Sequence, residues 1–361
     1  MKKRALFFGF SWWKHKYVKP FFSEFDYLVF INPLLHNHID LALKKGLADS
    51  SAIFIWGKKE FKEVEEYALK HEVPIYRVED GFIRSIALGS DLTQPYSLVA
   101  DKRGIYFDPS QESDLEHILN FHTFTSQEIK RARIIRDYIV KCKLSKYNSC
   151  KTQKLDIPKD KRVVFVPGQV EDDASIRFGG GGMTNIELLK KVRLNSKDSY
   201  IIFKPHPDVV AKNRIGEVAR KEALKYCDLV VENISIDSIL YYADEVHTIT
   251  SLVGFEALLR GKRVYTYGMP FYAGWGLTED FLSCSRRKRR LSLDELTAAA
   301  YILYPRYIDP IEKNPCEVET LLNSIDKLKR RYNSDIFYRA RMDLRSYFFR
   351  KIQQVLKVFR G

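Results

Sequence analysis

Cysteine is scarce in this chain of 361 residues, with five thiols at Cys142, Cys150, Cys227, Cys284 and Cys316, odd in number and widely scattered. No two of them have the spacing of a metal clip or a redox pair. Reduced thiols are expected, and a disulfide-stapled scaffold is excluded. The eight histidines form no ligand cluster, and His36 and His38 stand near each other without further partners. Long apolar runs are missing too, since nothing reaches the roughly 20 uninterrupted residues that a membrane span needs. The basic start and the short run ALFFGFSWW are followed by Trp12-Trp13-Lys14-His15 with no small-residue cleavage site. That segment reads as the first buried strand of a cytoplasmic protein rather than a signal peptide. Two nucleotide fingerprints are also lacking. There is no GxGxxG, and Gly179 to Gly182 are not followed by Gly-Lys-Ser/Thr. No short-period repeat is evident, which excludes a solenoid.

What is present is ample for folding. A hydrophobic share of 45% with 13% aromatics excludes a disordered chain, and the length suits two domains. Short apolar runs at 5–10, 27–32, 52–57 and 74–79 read as buried strands. Helical patterns lie between them at 40–45 and 59–70, and a longer one follows at 126–142. The stretch 143–160 is polar, lysine-rich and weakly patterned, and reads as a linker. The alternation then restarts, with strands at 163–168, 200–206, 228–232, 245–250 and 263–268 and helices at 185–192, 215–226, 236–242 and 252–260. Helices at 293–303 and over the tail finish the chain. Such alternation implies an α/β protein with parallel sheets and right-handed crossovers. The expected organisation is two Rossmann-like domains, 1–145 and 146–310, with a cleft between them and a basic helical tail over 311–361.

The net charge of +14 calls for an acidic partner. Residues 286–290 are Arg-Arg-Lys-Arg-Arg, and from Lys327 to Gly361 eleven Lys/Arg face two Asp. In that tail Tyr347, Phe348, Ile352, Val355, Leu356, Val358 and Phe359 recur at roughly helical spacing. A basic amphipathic helix of this kind suits an anionic membrane surface; a terminal helix docked on the body of the protein is the alternative. No nucleic-acid-binding motif accompanies the charge, so nucleic acid is not the expected partner.

The unusual segments all follow strands, where open α/β sheets bind ligands. In EDGFIRS, Glu79 or Asp80 can exchange a proton with a hydroxyl or a leaving oxygen, Gly81 permits a sharp turn, and Arg84 offers a fork for a carboxylate. An Asp-Gly turn with a surface salt bridge is the plainer alternative. PGQVEDDAS brings Gln169, Glu171, Asp172, Asp173 and Ser175 onto one loop. Neighbouring acids repel and raise one another's pKa, and one of them beneath an anomeric carbon can form a glycosyl ester. Metal coordination or helix capping is the alternative, without the ligand spacing of an EF-hand. The four glycines that follow read as a mobile flap or a flexible loop. In KPHPD, Lys204 and His206 can meet a phosphate at a strand end. Thr250 and Ser251 open a helix whose free amides favour an anion, or simply cap it. Tyr272 and Trp275 of PFYAGWG serve either for stacking on a sugar or base, or as core aromatics.

Taken together and in order, EDGFIRS, PGQVEDDAS, KPHPD and TSLVGFEALLRGK with PFYAGWG resemble the capsular-polysaccharide Kdo transferases of the KpsC type, over about residues 5–310. This resemblance implies a GT-B fold and a retaining β-Kdo transferase that uses CMP-β-Kdo without a metal or other cofactor. It also implies Glu79 as general acid/base, Asp173 as nucleophile, His206 on the CMP phosphate, and Thr250 with Ser251 as the hydroxyl pair on that phosphate. Gln169, Lys204 and Arg84 join them as donor-binding candidates by position and charge. Asp80, Glu171, Asp172, Tyr272 and Trp275 are the further site candidates. The expected acceptor is lipid-linked or a glycan, and the expected place is the cytoplasmic face of the inner membrane, peripherally, beside other capsule-assembly proteins. Relatives of this type commonly carry two such modules, and one is read here. An inverting CMP-sialic-acid-type transferase or a non-catalytic polysaccharide export or binding protein would be the alternatives. The acidic run speaks against the first, and Glu79, Asp173 and His206 together speak against the second.

Overall fold

A computed structural model describes residues 2–32, 34–86, 92–148, 153–210 and 216–358, with side chains as far as residue 349. Cys150 and residue 215 of an expected helix lie outside the described residues, as do the side chains of Ile352, Val355, Leu356, Val358 and Phe359. The strands are β1 (Arg4–Phe8), β2 (Tyr27–Phe30), β3 (Ser51–Trp56), β4 (Ile75–Asp80), β5 (Ser97–Asp101), β6 (Val163–Pro167), β7 (Tyr200–Lys204), β8 (Leu229–Val230), β9 (Glu245–Thr248), β10 (Arg263–Thr266), β11 (Glu279–Asp280), β12 (Pro305–Ile308) and β13 (Pro315–Cys316). They form two sheets flanked by helices, an α/β architecture. The first has the order β13-β12-β5-β4-β3-β1-β2 and the second β11-β10-β9-β6-β7-β8. The apolar runs become the central strands because strands covered by helices on both faces exclude water on both. Residues 5–8 and 163–167 are accordingly buried throughout.

The second sheet is parallel in every pairing. The first is not, which corrects the expectation of parallel sheets alone: β5 runs antiparallel to β4, β12 to β5, and β13 to β12. Strand β12 lies in the stretch expected to close the second domain at 310, yet the chain has by then crossed back and Pro305, Arg306 and Tyr307 pair with β5. One apolar cluster also runs through both halves, joining Phe82, Val99 and Leu119 to Phe165, Phe255, Phe271 and Tyr301.

The tail divides into two helices with different surroundings. Val318–Ser334 buries Val318, Leu321, Leu322 and Ile325 against that shared core, and Arg131 reaches Glu317 and Glu319 at 3.0 and 2.9 Å. This stretch is a docked brace, so Lys327 to Arg331 do not belong to a free basic helix. Ile336–Val358 leaves Phe337 88% and Leu344 69% exposed, with Tyr347 and Phe348 also outside. No helix among the described residues is long and apolar enough to cross a membrane. The basic run 286–290 is largely spent inside the protein. Arg286 and Arg287 grip Glu116 at 2.6 and 3.1 Å. Arg289 binds the His122 carbonyl and Glu295.

Candidate active site

In the second sheet β6 comes first in sequence. The chain then builds outward through β7 and β8 on one side and β9 to β11 on the other. The order therefore reverses between β6 and β9, and the crevice outside the carboxyl ends at such a switch point is where open α/β sheets bind ligands. A cavity of about 330 Å³ opens there. Its wall includes Glu79, Gln169, Asp173, Lys204, His206, Thr250 and Ser251, so seven of the expected residues come together from both halves of the chain.

Gln169 spans the switch point. Its side-chain oxygen accepts the Thr250 N–H at 2.9 Å while its Nε2 donates to the Thr250 hydroxyl at 3.0 Å. Ser251 caps the helix Leu252–Leu259, its Oγ accepting the Val253 N–H at 3.2 Å. Both hydroxyls thus act as acceptors and keep their protons for a ligand, at a helix end that favours negative charge. Lys204 donates to the Glu232 carbonyl at 2.5 Å. His206 receives the Asp208 N–H on Nδ1 at 3.1 Å, and burial lowers its pKa below the ordinary value despite Asp208 and Asp173. The ring is therefore neutral near pH 7, with Nε2–H as its remaining donor. In that state it can offer a hydrogen bond but no positive charge.

Asp173 caps the helix Ala174–Gly179, with Oδ1 accepting the Ser175 N–H at 3.0 Å and the Ser175 hydroxyl at 2.9 Å. Capping and cavity lining coexist in this residue, because a cap at a strand-end loop leaves the other carboxylate oxygen uncommitted to these bonds. Glu171 instead accepts the Asn185 N–H at 2.8 Å and serves the fold, and neither it nor Asp172 is part of the cavity wall. The glycine run is less loop-like than its composition implies. Gly179 ends the helix and its carbonyl accepts the Met269 N–H at 2.7 Å, so that only Gly181 and Gly182 take left-handed backbone angles.

Across the cavity, Glu79 accepts the Asp80 N–H at 2.9 Å. Burial raises its pKa to about 7, with Asp80 adding to the rise and Lys14 opposing it. Burial likewise lowers the Lys14 pKa to about 8. Its Nζ lies 3.0 Å from the Trp56 ring centroid. Asp80 is ionised, since the charges of Arg84, Lys14 and Lys146 outweigh the effect of its burial. Arg84 is 1% exposed and bonded to Asp80 at 2.6 Å and to Ser85 at 3.1 Å. It holds the acidic motif in place and is not the open fork expected for a substrate carboxylate. Gly81 has no positive φ; glycine is needed because a Cβ there would stand 2.3 Å from the Ser97 hydroxyl on β5.

Sequence reasoning missed several wall residues. Phe82 stacks on Phe271 across the two halves, with centroids 4.5 Å apart, and Tyr106 stays protonated because burial lifts its pKa. Lys146 comes from the expected linker, which here threads the site. The Arg84 and Ser85 N–H groups donate to its carbonyl, both at 3.3 Å, and its own N–H donates to Glu256 at 2.9 Å. Glu256 had left a signal, since a lone acid in the apolar helix LVGFEALL needs a partner. Tyr272 and Trp275 are fully buried, bonded to the carbonyls of Ser251 and Phe271. They are core aromatics, and Pro270 and Phe271 are the members of that motif that line the cavity.

Comparison with known proteins identifies a family. Residues 51–307 match the family described as capsule polysaccharide biosynthesis protein. The capsule polysaccharide modification protein LipA of Neisseria meningitidis is 46% identical over 314 residues, 86% of this chain but 44% of LipA. The lipopolysaccharide-processing protein LpsZ of Rhizobium meliloti is 38% identical over 90% of this chain and 74% of its own. The chain thus spans less than half the length of LipA. Two solved KpsC structures from Thermosulfurimonas dismutans are similar. The β-Kdo 2,7 transferase is 39% identical with a TM-score of 0.73, covering 90% of this chain and 99% of its own. The β-Kdo 2,4 transferase is 32% identical with a TM-score of 0.75, covering 89% and 97%.

Proposed function

This chain belongs to the capsule polysaccharide biosynthesis family, and from that premise we propose that it is a retaining β-Kdo transferase of GT-B type acting on CMP-β-Kdo. The observation that carries the proposal is the cavity in which Glu79, with its pKa near 7, meets Asp173 and the oxyanion-binding group of Thr250, Ser251, Lys204 and His206. In this reading the Asp173 carboxylate attacks the anomeric carbon and the bond to the CMP phosphate breaks. The departing negative charge is met by the two hydroxyls, the end of the helix Leu252–Leu259, Lys204 and the His206 Nε2–H. The acceptor hydroxyl then displaces Asp173 while Glu79 takes its proton, so that two inversions return the original configuration. No metal enters these steps. The test is incubation with CMP-Kdo, generated in situ because it is labile, and a synthetic Kdo-terminated acceptor, with NMR of the product. A β-linked product formed at an unchanged rate in EDTA is expected. An α-linkage, an absolute need for magnesium, or no transfer would overturn the reading.

The acceptor side includes a lipid-linked or glycan acceptor at the cytoplasmic surface of the inner membrane, alongside other capsule-assembly proteins. Exposed Phe337, Leu344 and Phe348 lie on the same helix as Arg339, Arg341 and Arg345, a combination that suits an anionic interface. Binding to anionic vesicles is expected to weaken with salt, because exposed charges are screened within about 10 Å at 0.1 M. Deleting residues 340–361, which spares the docked brace, should release the protein from vesicles and preserve transfer to a soluble acceptor. Co-sedimentation that survives the deletion would refute this role for the helix.

A further inference from the structure

Lys146 enters the cavity from the chain segment that joins the two halves, and its backbone is pinned from both. Arg84 and Ser85 donate to its carbonyl, Glu256 accepts its N–H, and Ser85 pairs with Tyr147 beside it. The Lys146 main chain is thus fixed both to the segment after β4 and to the helix Leu252–Leu259. Among the described residues, its ammonium has no ion-pair or hydrogen-bond partner; it stands 5.8 Å from the Tyr147 ring centroid. Of the acids nearby, Asp80 gives Oδ2 to Arg84 at 2.6 Å while its buried Oδ1 makes no hydrogen bond, and Glu79 accepts the Asp80 N–H while it titrates near 7. Burial works against the Lys146 charge, yet its pKa lies above the usual lysine value, favoured near neutral pH by the Asp80 and Glu79 carboxyls. The first-sheet wall, with Lys14 and Lys59 also beside Glu79, therefore carries more cation than its own acids neutralise. The ammonium therefore stays charged without a contact partner, placed to meet an arriving anion.

We propose that Lys146 is the counter-ion for an oxyanion at the reacting end of the donor, either the sugar carboxylate or the phosphate joined to the same anomeric carbon. The inference rests on the CMP-Kdo reading above, and its test separates the two. Lys146→Met is compared with the full-length wild type in calorimetry with CMP, in kcat/KM for CMP-Kdo, and in the thermal midpoint without ligand. The expected result is a loss of about 10- to 100-fold in kcat/KM at a temperature well below the midpoint of either protein, and partial rescue by Lys146→Arg. If CMP affinity falls in parallel, the oxyanion is the phosphate; if CMP affinity is kept, it is the sugar carboxylate. A variant with wild-type CMP affinity and wild-type kcat/KM overturns the inference. So does one whose losses follow a lowered midpoint, which marks a structural lysine. A wild type that binds CMP but transfers no Kdo would count against the functional reading instead.

Discussion

Asp173→Asn is expected to lower Kdo transfer by on the order of 10³-fold or more, because a nucleophile in a double displacement has no substitute in the site. The substitution is mild in every other respect. Asparagine keeps an oxygen to accept the Ser175 N–H and hydroxyl, and it is as good a helix cap as aspartate, so CMP binding and the thermal midpoint should be retained. Intact-protein mass spectrometry of the wild type with donor alone should show a Kdo adduct that the variant lacks. Asp172→Asn is the control, since Asp172 is not part of the cavity wall. An active Asp173→Asn enzyme would remove the nucleophile assignment, and loss of activity in Asp172→Asn alone would move it one residue back.

Glu79→Gln should cost about 10²- to 10⁴-fold, the usual range for a positioned acid or base. Two pH readouts separate this role from a structural one. In the base step Glu79 must be ionised, so wild-type turnover should rise as pH climbs through about 7 and the variant should lose that rise. The stability sign is the reverse. A carboxyl whose folded pKa lies above its unfolded value binds its proton more tightly when folded, so the protein loses stability as pH rises from the ordinary glutamate range to about 7. The variant escapes that loss. Its thermal midpoint relative to the wild type should increase from pH 4.5 to pH 8, and a difference that stays flat across this window would mean that Glu79 titrates normally.

Much of this site could be read from the sequence because its residues sit at the ends of strands that are themselves strongly apolar. VVFVP and YIIFK announce β6 and β7, and the residues directly after each strand must lie at the carboxyl edge of the sheet. Among the strands that escaped notice, SLVAD and PRYI are short and depend on each other across more than 200 residues of sequence, a pairing no local pattern encodes. Lys146 escaped for a related reason. Its neighbours are polar and unpatterned, and its placement comes from main-chain bonds to Arg84, Ser85 and Glu256 that composition cannot foretell. Arg84 and Tyr272 show the opposite failure, where chemically attractive side chains were spent on holding the fold.

The pairing of β5 with β12 also constrains how the molecule is made. Once the ribosome has released Asp101, the outer edge of β5 has no neighbour until Pro305 emerges. At about 5–20 residues per second this is an interval of roughly 10–40 s. An unpaired edge of that kind invites association with other nascent chains. The first sheet therefore cannot close as an independent early unit, and the two halves reach their final state late and together. Production at low temperature or with chaperones should raise the soluble yield, whereas a chain cut before residue 305 should aggregate rather than leave a folded N-terminal half.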